Sequence, residues 1–464
     1  MSGTVLPIRY TARVMIEADT PITVGTGRTG LDTDEQVALD ANMLPVIPGT
    51  GLCGVLRSMA KGLVSNIEDM FGFQGKNSSE GCGSRLIISD AVMVGEGGLP
   101  QDGLSRIDWR SGFYSRFKAL PIRDHCRISH TGVADAEGKG KFDEQVVFRG
   151  TRFIFEMVLQ GDEQHRNDWN SLLSLLSSPL FRVGGGTRKG FGKLSTVKIE
   201  EKVFDLTQKI GLKEYLEQSS SLRDPVMSPD TVRFQESIAR AKEGGYVEYD
   251  LHLVPEDFYC FGSGFGDSEV DDAFKTEEII RWSSSGIPSF SEEMILVPAT
   301  SVKGALSHRI AFHHNQINGV YSDSFSLEVE KYDDNYAVKT LFGYAKDDDG
   351  ESGKQGQRGI VLFSDSFLRI KQSKILNHVS IDRFTGGSLD SALFDERVVA
   401  DHEGALVIKL VVEKDGFDQL EDSIRIAFEK ALKDIASGLL PLGGSVMRGH
   451  GSFTGSVLRN GKEL

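Results

Sequence analysis

Cysteine is scarce in this chain. Four residues in 464 are cysteine (Cys53, Cys82, Cys126, Cys260), and no two stand at C-x-x-C spacing. That excludes a disulfide framework and a cysteine zinc site, and it reads as reduced thiols in a cytoplasmic protein. Long apolar runs are also missing. The most apolar stretch, LLSLLSSPLF at 172–181, is too short to span a bilayer. The opening residues do not read as a signal peptide. Positive charge is in deficit: 52 Lys and Arg stand against 67 Asp and Glu, giving a net charge of −15. A free-standing nucleic-acid binder is normally basic, so nucleic acid would have to be met through local patches or together with basic partners.

What the chain does have is repetition. PGTGLCG (48–54) recurs as PATSVKG (298–304), and GGGTRKGFG (184–192) recurs as GGSVMRGHG (443–451). Between them, in the same order, lie DMFG (69–72) with TLFG (340–343) and ISDA (88–91) with FSDS (363–366). ISHTG (128–132) with IDRFTG (381–386) and FDEQVV (142–147) with FDERVV (394–399) complete the series. Colinear matches of this kind mean a duplicated module, and 464 residues are in any case too many for one ordinary core. The expected boundaries are residues 1–205 for the first module, 206–240 for a linker and 241–464 for the second.

Each module opens with a strand, IRYTARVMIEA at 8–18 and YVEYDLHLV at 246–254. The second alternates apolar and polar residues as a half-buried strand does. A Gly-rich acidic loop follows, then a proline, then a helix with Thr50 or Thr300 as the expected cap. Leu52, Val55, Leu56 and Met59 fall at i, i+3, i+4 and i+7, one helical face. Further strands are expected at 85–91 and 358–365, at 151–159 and 405–413, and at 192–199 and 451–458. Helices are expected at 168–178 and 422–438. Strand, helix, strands, helix, strand is the order of a ferredoxin-like (RRM-like) α+β sandwich, here in two tandem copies with insertions. The linker is expected to carry a helix within 206–218.

Residues 106–127 hold Arg106, Arg110, Arg116, Lys118, Arg123 and Arg127 with Trp109, Phe113, Tyr114 and Phe117 interleaved. Basic and aromatic residues together suit phosphate contact and base stacking, so this stretch is expected to protrude as an RNA-binding thumb. A solvated surface hairpin with a small satellite core is the plainer alternative.

The terminal glycine loops suit a backbone cradle. Glycine lets the main chain approach a phosphate, and exposed amides with Arg188, Lys189 or Arg448 supply charge. A tight structural turn is the competing reading. The segment Gly25-x-Gly27-x-x-Gly30 has dinucleotide-fingerprint spacing, yet LDTDEQ follows it where a helix should start, which excludes a Rossmann site. Aligning Gly25-Thr26-Gly27 on Gly262-Ser263-Gly264 places Asp34 on Asp271 and Asp32 on Glu269. An Asp in such a loop can hold a hard cation beside a phosphate. Asp34 and Asp271 are therefore the candidate catalytic and metal-binding residues, with Asp32 and Asp272 as rivals. No paired histidines offer metal-free acid–base chemistry: His130 occurs in the first module only, and Phe384 stands at its counterpart. Ser89-Asp90 and Ser364-Asp365 read as strand-end hydrogen-bonding positions. Phe71 and Phe342 read as core anchors.

These landmarks resemble the RAMP superfamily of CRISPR proteins. They are most similar to the backbone subunits of type III effector complexes, whose pattern is a PGSSLKG-like helix start, a central IDR-x-TG segment and a GG-x-x-x-RG-x-G loop. The matches are Pro48–Gly54 with Pro298–Gly304, Ile381–Gly386, and Gly184–Gly192 with Gly443–Gly451. A fused pair looks like the tandem proteins of type III-D systems. The resemblance implies RNA contacts at Thr50, Arg57, Ser301, Lys303 and Arg383, and at Gly185, Arg188, Lys189, Gly190, Gly444, Arg448 and Gly449 of the loops. It also implies a guide RNA, a single-stranded target RNA, neighbouring RAMP subunits and a large subunit as partners, no membrane, and target cleavage by a loop Asp with Mg²⁺ or Mn²⁺. The first module departs from the pattern with Cys53 in place of Lys and with ISHTG; the second keeps Lys303, Asp382 and Arg383. A purely structural double backbone subunit, and a tandem ferredoxin-like module that binds proteins or small ligands without RNA, remain the alternatives.

Overall fold

A computed structural model describes residues 6–27, 33–75, 81–128, 134, 140–226, 245–321, 335–344 and 356–464. In the first module the strand Ile8–Ala18 lies between Arg152–Gly161 and Leu194–Asp205, antiparallel to both. Ala91–Met93 and Val46–Ile47 extend the sheet beyond Arg152–Gly161. In the second module Tyr246–Pro255 lies in the same way between Leu406–Glu413 and Phe453–Arg459. Val361–Phe363 pairs on the outer side of Leu406–Glu413. Counted in chain order, the four shared strands of each module sit in the spatial order 4-1-3-2. That is the ferredoxin-like arrangement, and the fold is two tandem α+β modules of this kind.

The strand period explains which face is covered. Tyr10, Ala12, Val14 and Ile16 alternate along the first strand, and all four are buried. Leu52 and Leu56 of the helix Gly49–Met59 and Trp169 and Leu172 of the helix Arg166–Leu175 join them in one core. Val55 and Met59 pack half-buried against it. In the second module Tyr249 and Leu251 meet Val302 and Leu306 of the helix Ala299–Ile317, with Phe428 and Leu432 of Asp422–Ala436. Phe71 and Phe342 are buried in their respective cores.

Neither threonine caps its helix. Helix one starts at Gly49 and helix two at Ala299, and no side chain of the preceding proline position caps either. The acceptors come from across the sheet: Asp90 Oδ1 takes the Gly49 N–H at 2.8 Å, and Asp365 Oδ1 takes the Ala299 N–H at 2.8 Å. A helix start with a proline before it needs such an acceptor, and a carboxylate also suits the positive end of the helix.

The 206–240 region divides. Lys209–Glu217 is helical. Residues 219–226 form a strap on the first module, because the fully buried Arg13 donates to the main-chain oxygens of Ser219, Ser221 and Asp224 while pairing with Glu156 at 2.8 Å.

Each module inserts a hairpin between its second and third shared strands. In the first it is Ile122–Cys126 with Lys141–Gln145. In the second it is much longer, Ser366–Ile381 with Ser388–Glu403, and ends in a turn holding Asp382 and Arg383. The protruding element is thus this second-module hairpin. The 106–127 stretch is not a thumb. Phe113, Tyr114, Phe117 and Leu120 are buried in the first module's core. Phe290 of the second module packs on Phe113 and Phe148 at ring separations of 5.7 and 4.9 Å. The aromatics that suggested base stacking are spent on packing.

The segment carrying Phe290 is the second-module insertion. Its hairpin, Ile280–Trp282 with Pro288–Phe290, closes over the first module. Ile280 N–H donates to Arg149 O at 2.9 Å, and Trp282 Nε1 donates to Gly150 O at 2.7 Å. Arg123 crosses the same junction, paired with Glu277 and with Asp365.

Candidate functional site

The acidic loops take the same path in both modules. Gly25 bridges Val37, and Gly262 bridges Phe274, so each glycine turn folds back on its own acidic loop. The returning chain then lies parallel to the outer strand of the inserted hairpin. Glu35 pairs with Glu144, and Asp272 pairs with Glu396. Asp34 and Asp271 therefore occupy equivalent positions, each one residue before that pairing. Both are exposed.

Their partners come from the FDE motif. Asp34 N–H donates to Asp143 Oδ1 at 2.9 Å, and Asp143 N–H donates to Asp34 Oδ2 at 3.2 Å. Asp395 N–H donates to Asp271 Oδ2 at 3.0 Å, and Asp271 N–H donates to the main-chain oxygen of Asp395 at 3.0 Å. The preceding Phe carries a cation in each case. Lys189 Nζ lies 4.3 Å from the Phe142 ring centroid, and the Arg448 guanidinium lies 4.8 Å from that of Phe394. On the ring's other partner side, His125 stacks on Phe142 and His378 on Phe394, each at 4.8 Å. Cation, aromatic face and Asp–Asp contact thus recur as one array in both modules.

The rival positions separate. Asp272 is half-buried, and burial, followed by the nearby Glu396, pushes its carboxyl above the ordinary range. Asp32 and His130 lie outside the described residues.

The glycine loops are fixed by packing. A Cβ on Gly184 would stand 2.2 Å from Thr23 O, and one on Gly443 would stand 2.3 Å from Cys260 O; both residues have positive φ. Gly185 and Gly444 are exposed next to these contacts and donate to the same two oxygens at 2.7 Å. Gly449 has open space around it, whereas Gly190 packs on Ala299 of the second module. The first loop is therefore seated on the start of the second module's helix.

That seating brings three of the expected basic residues together. Lys303 is largely buried, and its ammonium is pushed down to about 8 by burial first and by the neighbouring charges of Lys189 and Arg188 second. Among the described residues Lys189 and Lys303 have no carboxylate partner; Lys303 faces the Phe342 ring at 5.5 Å. Arg188 is paired with Glu413 and donates to Gly359 O at 3.0 Å. It shares that carboxylate with Arg358.

The remaining basic residues scatter. Arg123 is buried between two carboxylates and cannot reach an RNA, which corrects its placement in an RNA-binding stretch. Arg116 pairs with Glu278 at 2.9 Å. Arg106, Arg110, Arg127, Thr50 and Ser301 are exposed, and Arg57 is half-buried in the last turn of its helix. Arg383 is exposed at the tip of the long hairpin. Arg448 reaches Glu396 at 3.3 Å while remaining about half exposed.

Sequence reasoning passed over the FDE residues and the histidines beside them. The repeat of FDEQVV as FDERVV held the signal. Histidines do recur beside the array, turned onto carboxylates. In the second module His378 and His450 both approach the buried Glu396, at 3.4 and 3.2 Å, and in the first His125 meets Glu144 at 2.8 Å. These rings are turned onto buried carboxylates, and His450 ties the second glycine loop to the hairpin.

Two ferredoxin-like modules, each carrying the same cation–aromatic–carboxylate array beside a glycine loop, define a duplicated surface-binding protein. A profile of the RAMP superfamily matches residues 15–195 and 291–454, well over half the chain. The chain belongs to the RAMP superfamily, and this membership supports a CRISPR-associated RNA-binding protein. No curated protein sequence matches it. Among the described residues no helix is long and apolar enough to cross a membrane.

Proposed function

We propose that this chain is a guide-RNA-binding backbone subunit of a type III CRISPR ribonucleoprotein, in the tandem form of type III-D systems, and that it cleaves complementary target RNA. The array repeated in both modules carries this reading. Each copy sets a cation and an aromatic face beside an exposed Asp, which are the parts needed to hold a phosphate, seat a base and approach a scissile linkage. Its partners would be guide RNA, single-stranded target RNA, neighbouring RAMP subunits and a large subunit, in the cytoplasm.

The carboxylates suit Mg²⁺ or Mn²⁺ as part of a coordination sphere. Among the described residues no group of three or more His, Cys, Asp or Glu could enclose a metal. Asp34 and Asp143 each commit one carboxylate oxygen to the other's N–H, which leaves one oxygen apiece. Mg²⁺ is commonly bound by one or two carboxylates, with phosphate and water completing its shell. Asp34, and Asp271 in the second module, would hold it, and when bound it supplies charge stabilisation at a phosphate. Lys189 and Lys303 orient the RNA backbone. On this reading Asp34 acts beside the scissile phosphate, which the 2′-hydroxyl of the bound strand attacks.

Purified assembly should carry RNA, seen as a raised absorbance at 260 nm. In Mg²⁺ an Asp34→Ala assembly should lose one product of target cleavage and retain guide binding, and Asp271→Ala should lose a different one. A complete wild-type product ladder from the Asp34→Ala assembly would leave a scaffold without this catalytic loop.

A further inference from the structure

The two Asp–Asp contacts look alike and are built differently. In the first module the loop N–H of Asp34 ends on the side chain of Asp143. In the second module the matching N–H of Asp271 ends on the main-chain oxygen of Asp395. The Asp395 side chain is turned elsewhere: its Oδ1 accepts from Asn377 Nδ2 at 2.6 Å, across the long hairpin. The second loop is braced further by Arg397, which pairs with Asp267 at 2.5 Å and with Glu269 at 2.6 Å. In the first module Gln145, the counterpart of Arg397, accepts the Val37 N–H on its side chain at 3.1 Å and donates its own N–H to Glu35 O at 3.0 Å.

We propose that Asp143 is a positioning residue for Asp34, acting as a hydrogen-bond acceptor, and that its repeat counterpart Asp395 has no such role. This rests on the reading of Asp34 and Asp271 as the cleaving residues. At Asp34 itself the loop N–H depends on one exchangeable side-chain contact, whereas the matching N–H of Asp271 is fixed by main-chain pairing that no side-chain substitution at 395 removes. A carboxylate contributes here through the oxygen that receives the Asp34 N–H, so an amide of the same shape keeps the contact and a methyl group loses it. The Asp34 carboxylate is held in addition by the main-chain N–H of Asp143 on its Oδ2, so the side-chain contact of Asp143 acts by holding the backbone at residue 34. The duplicated chain thus has one loop whose contact at the Asp can be altered through a single side chain and one whose matching contact is main-chain.

The test uses full-length protein, alone for hydrogen exchange and reconstituted with guide RNA for cleavage of a complementary RNA in Mg²⁺. Exchange over residues 33–37 should quicken on the order of tenfold in Asp143→Ala, since a hydrogen bond of about 1 kcal/mol and the pairing it supports are lost. Asp143→Asn should exchange as wild type does. Asp395→Ala should leave exchange over residues 270–274 unchanged. In cleavage, Asp143→Ala should slow one cut by about the same factor with RNA affinity unchanged, and Asp143→Asn should restore it. Wild-type exchange in Asp143→Ala overturns the proposal. So does an Asn variant that cleaves as poorly as the Ala variant while exchanging normally, which would assign the role to charge. Loosening of the second loop by Asp395→Ala overturns the asymmetry. If Asp34→Ala itself cleaves normally, the catalytic reading fails, and the exchange rates alone then decide whether Asp143 positions the loop.

Discussion

Arg123 of the first module and Asp365 of the second are joined at 3.1 Å in a site where both side chains are almost wholly buried. Asp365 at the same time caps the helix that begins at Ala299. One carboxylate therefore fixes the helix start within its module and docks the neighbouring module. Burial alone would push its pKa up, and the guanidinium opposes that. Arg123→Ala would strand Asp365 and Glu277 without a counter-charge. Breaking a buried pair from one side costs roughly 3–5 kcal/mol, and denaturant unfolding should show a loss of that size. RNA affinity of the folded fraction should not change. A variant that unfolds like wild type would mean that water enters the junction.

Phe290 should couple the modules. Its ring packs on three phenylalanines of the first module, Phe113, Phe117 and Phe148. Phe290→Ala should lower stability by about 3 kcal/mol, the lower end for such a truncation, since Phe290 is only half-buried. The loss should appear in the unfolding of the first module, read from the intrinsic fluorescence of Trp169, which is fully buried there. Loss confined to the second module would place the ring outside the shared core.

Lys189 and Lys303 should supply phosphate contacts in place of Arg188. Replacing both with Ala should weaken RNA binding at every guide sequence. Each phosphate contact to single-stranded nucleic acid contributes about 0.7 to the slope of log K against log salt, so the slope should fall by about 1.4. Arg188→Ala should change the slope little and should destabilise the junction, because its contacts to Glu413 and to Gly359 O are lost. An unchanged salt slope in the double variant would remove this cluster from the RNA path.

The depressed Lys303 makes a pH prediction. Its ammonium titrates at about 8 in the folded chain, below the ordinary lysine range, because burial and two neighbouring cations disfavour its charge. It is charged below that pH and loses its proton as pH rises through it. RNA affinity should therefore fall between pH 7 and pH 9. Lys303→Arg, which stays charged, should flatten the profile. Stability moves the opposite way: between about pH 8 and the normal lysine range the unfolded chain binds more protons, so stability rises with pH there. A wild-type affinity that is level across pH 7–9 would show that Lys303 makes no contact with phosphate.

Much of the fold was legible because it rests on local pattern. The strand at 8–18 alternates strongly enough to be placed residue for residue, and the helix at 49–59 shows its apolar face in Leu52 and Leu56. The basic–aromatic stretch misled for a physical reason. Aromatics next to arginines look the same whether the rings meet bases or other rings, and the deciding ring, Phe290, belongs to the other module. Arg123 is similar: its buried partners Glu277 and Asp365 lie far along the chain, so composition could not mark it as a junction residue.

The sequence by itself determined the duplication, the module order and the pairing of Asp34 with Asp271, because glycine turns, proline-led helices and alternating strands are short-range constraints written into neighbouring residues. Only the tertiary structure decided what those residues meet. Asp34 lies against Asp143 because a loop is added as a parallel strand to a distant hairpin, and Lys189 lies beside Lys303 because one module's glycine loop is seated on the other's helix start. Those contacts depend on packing between segments that have no sequence proximity, and the asymmetry between Asp143 and Asp395 depends on which atom of an otherwise repeated residue receives the hydrogen bond.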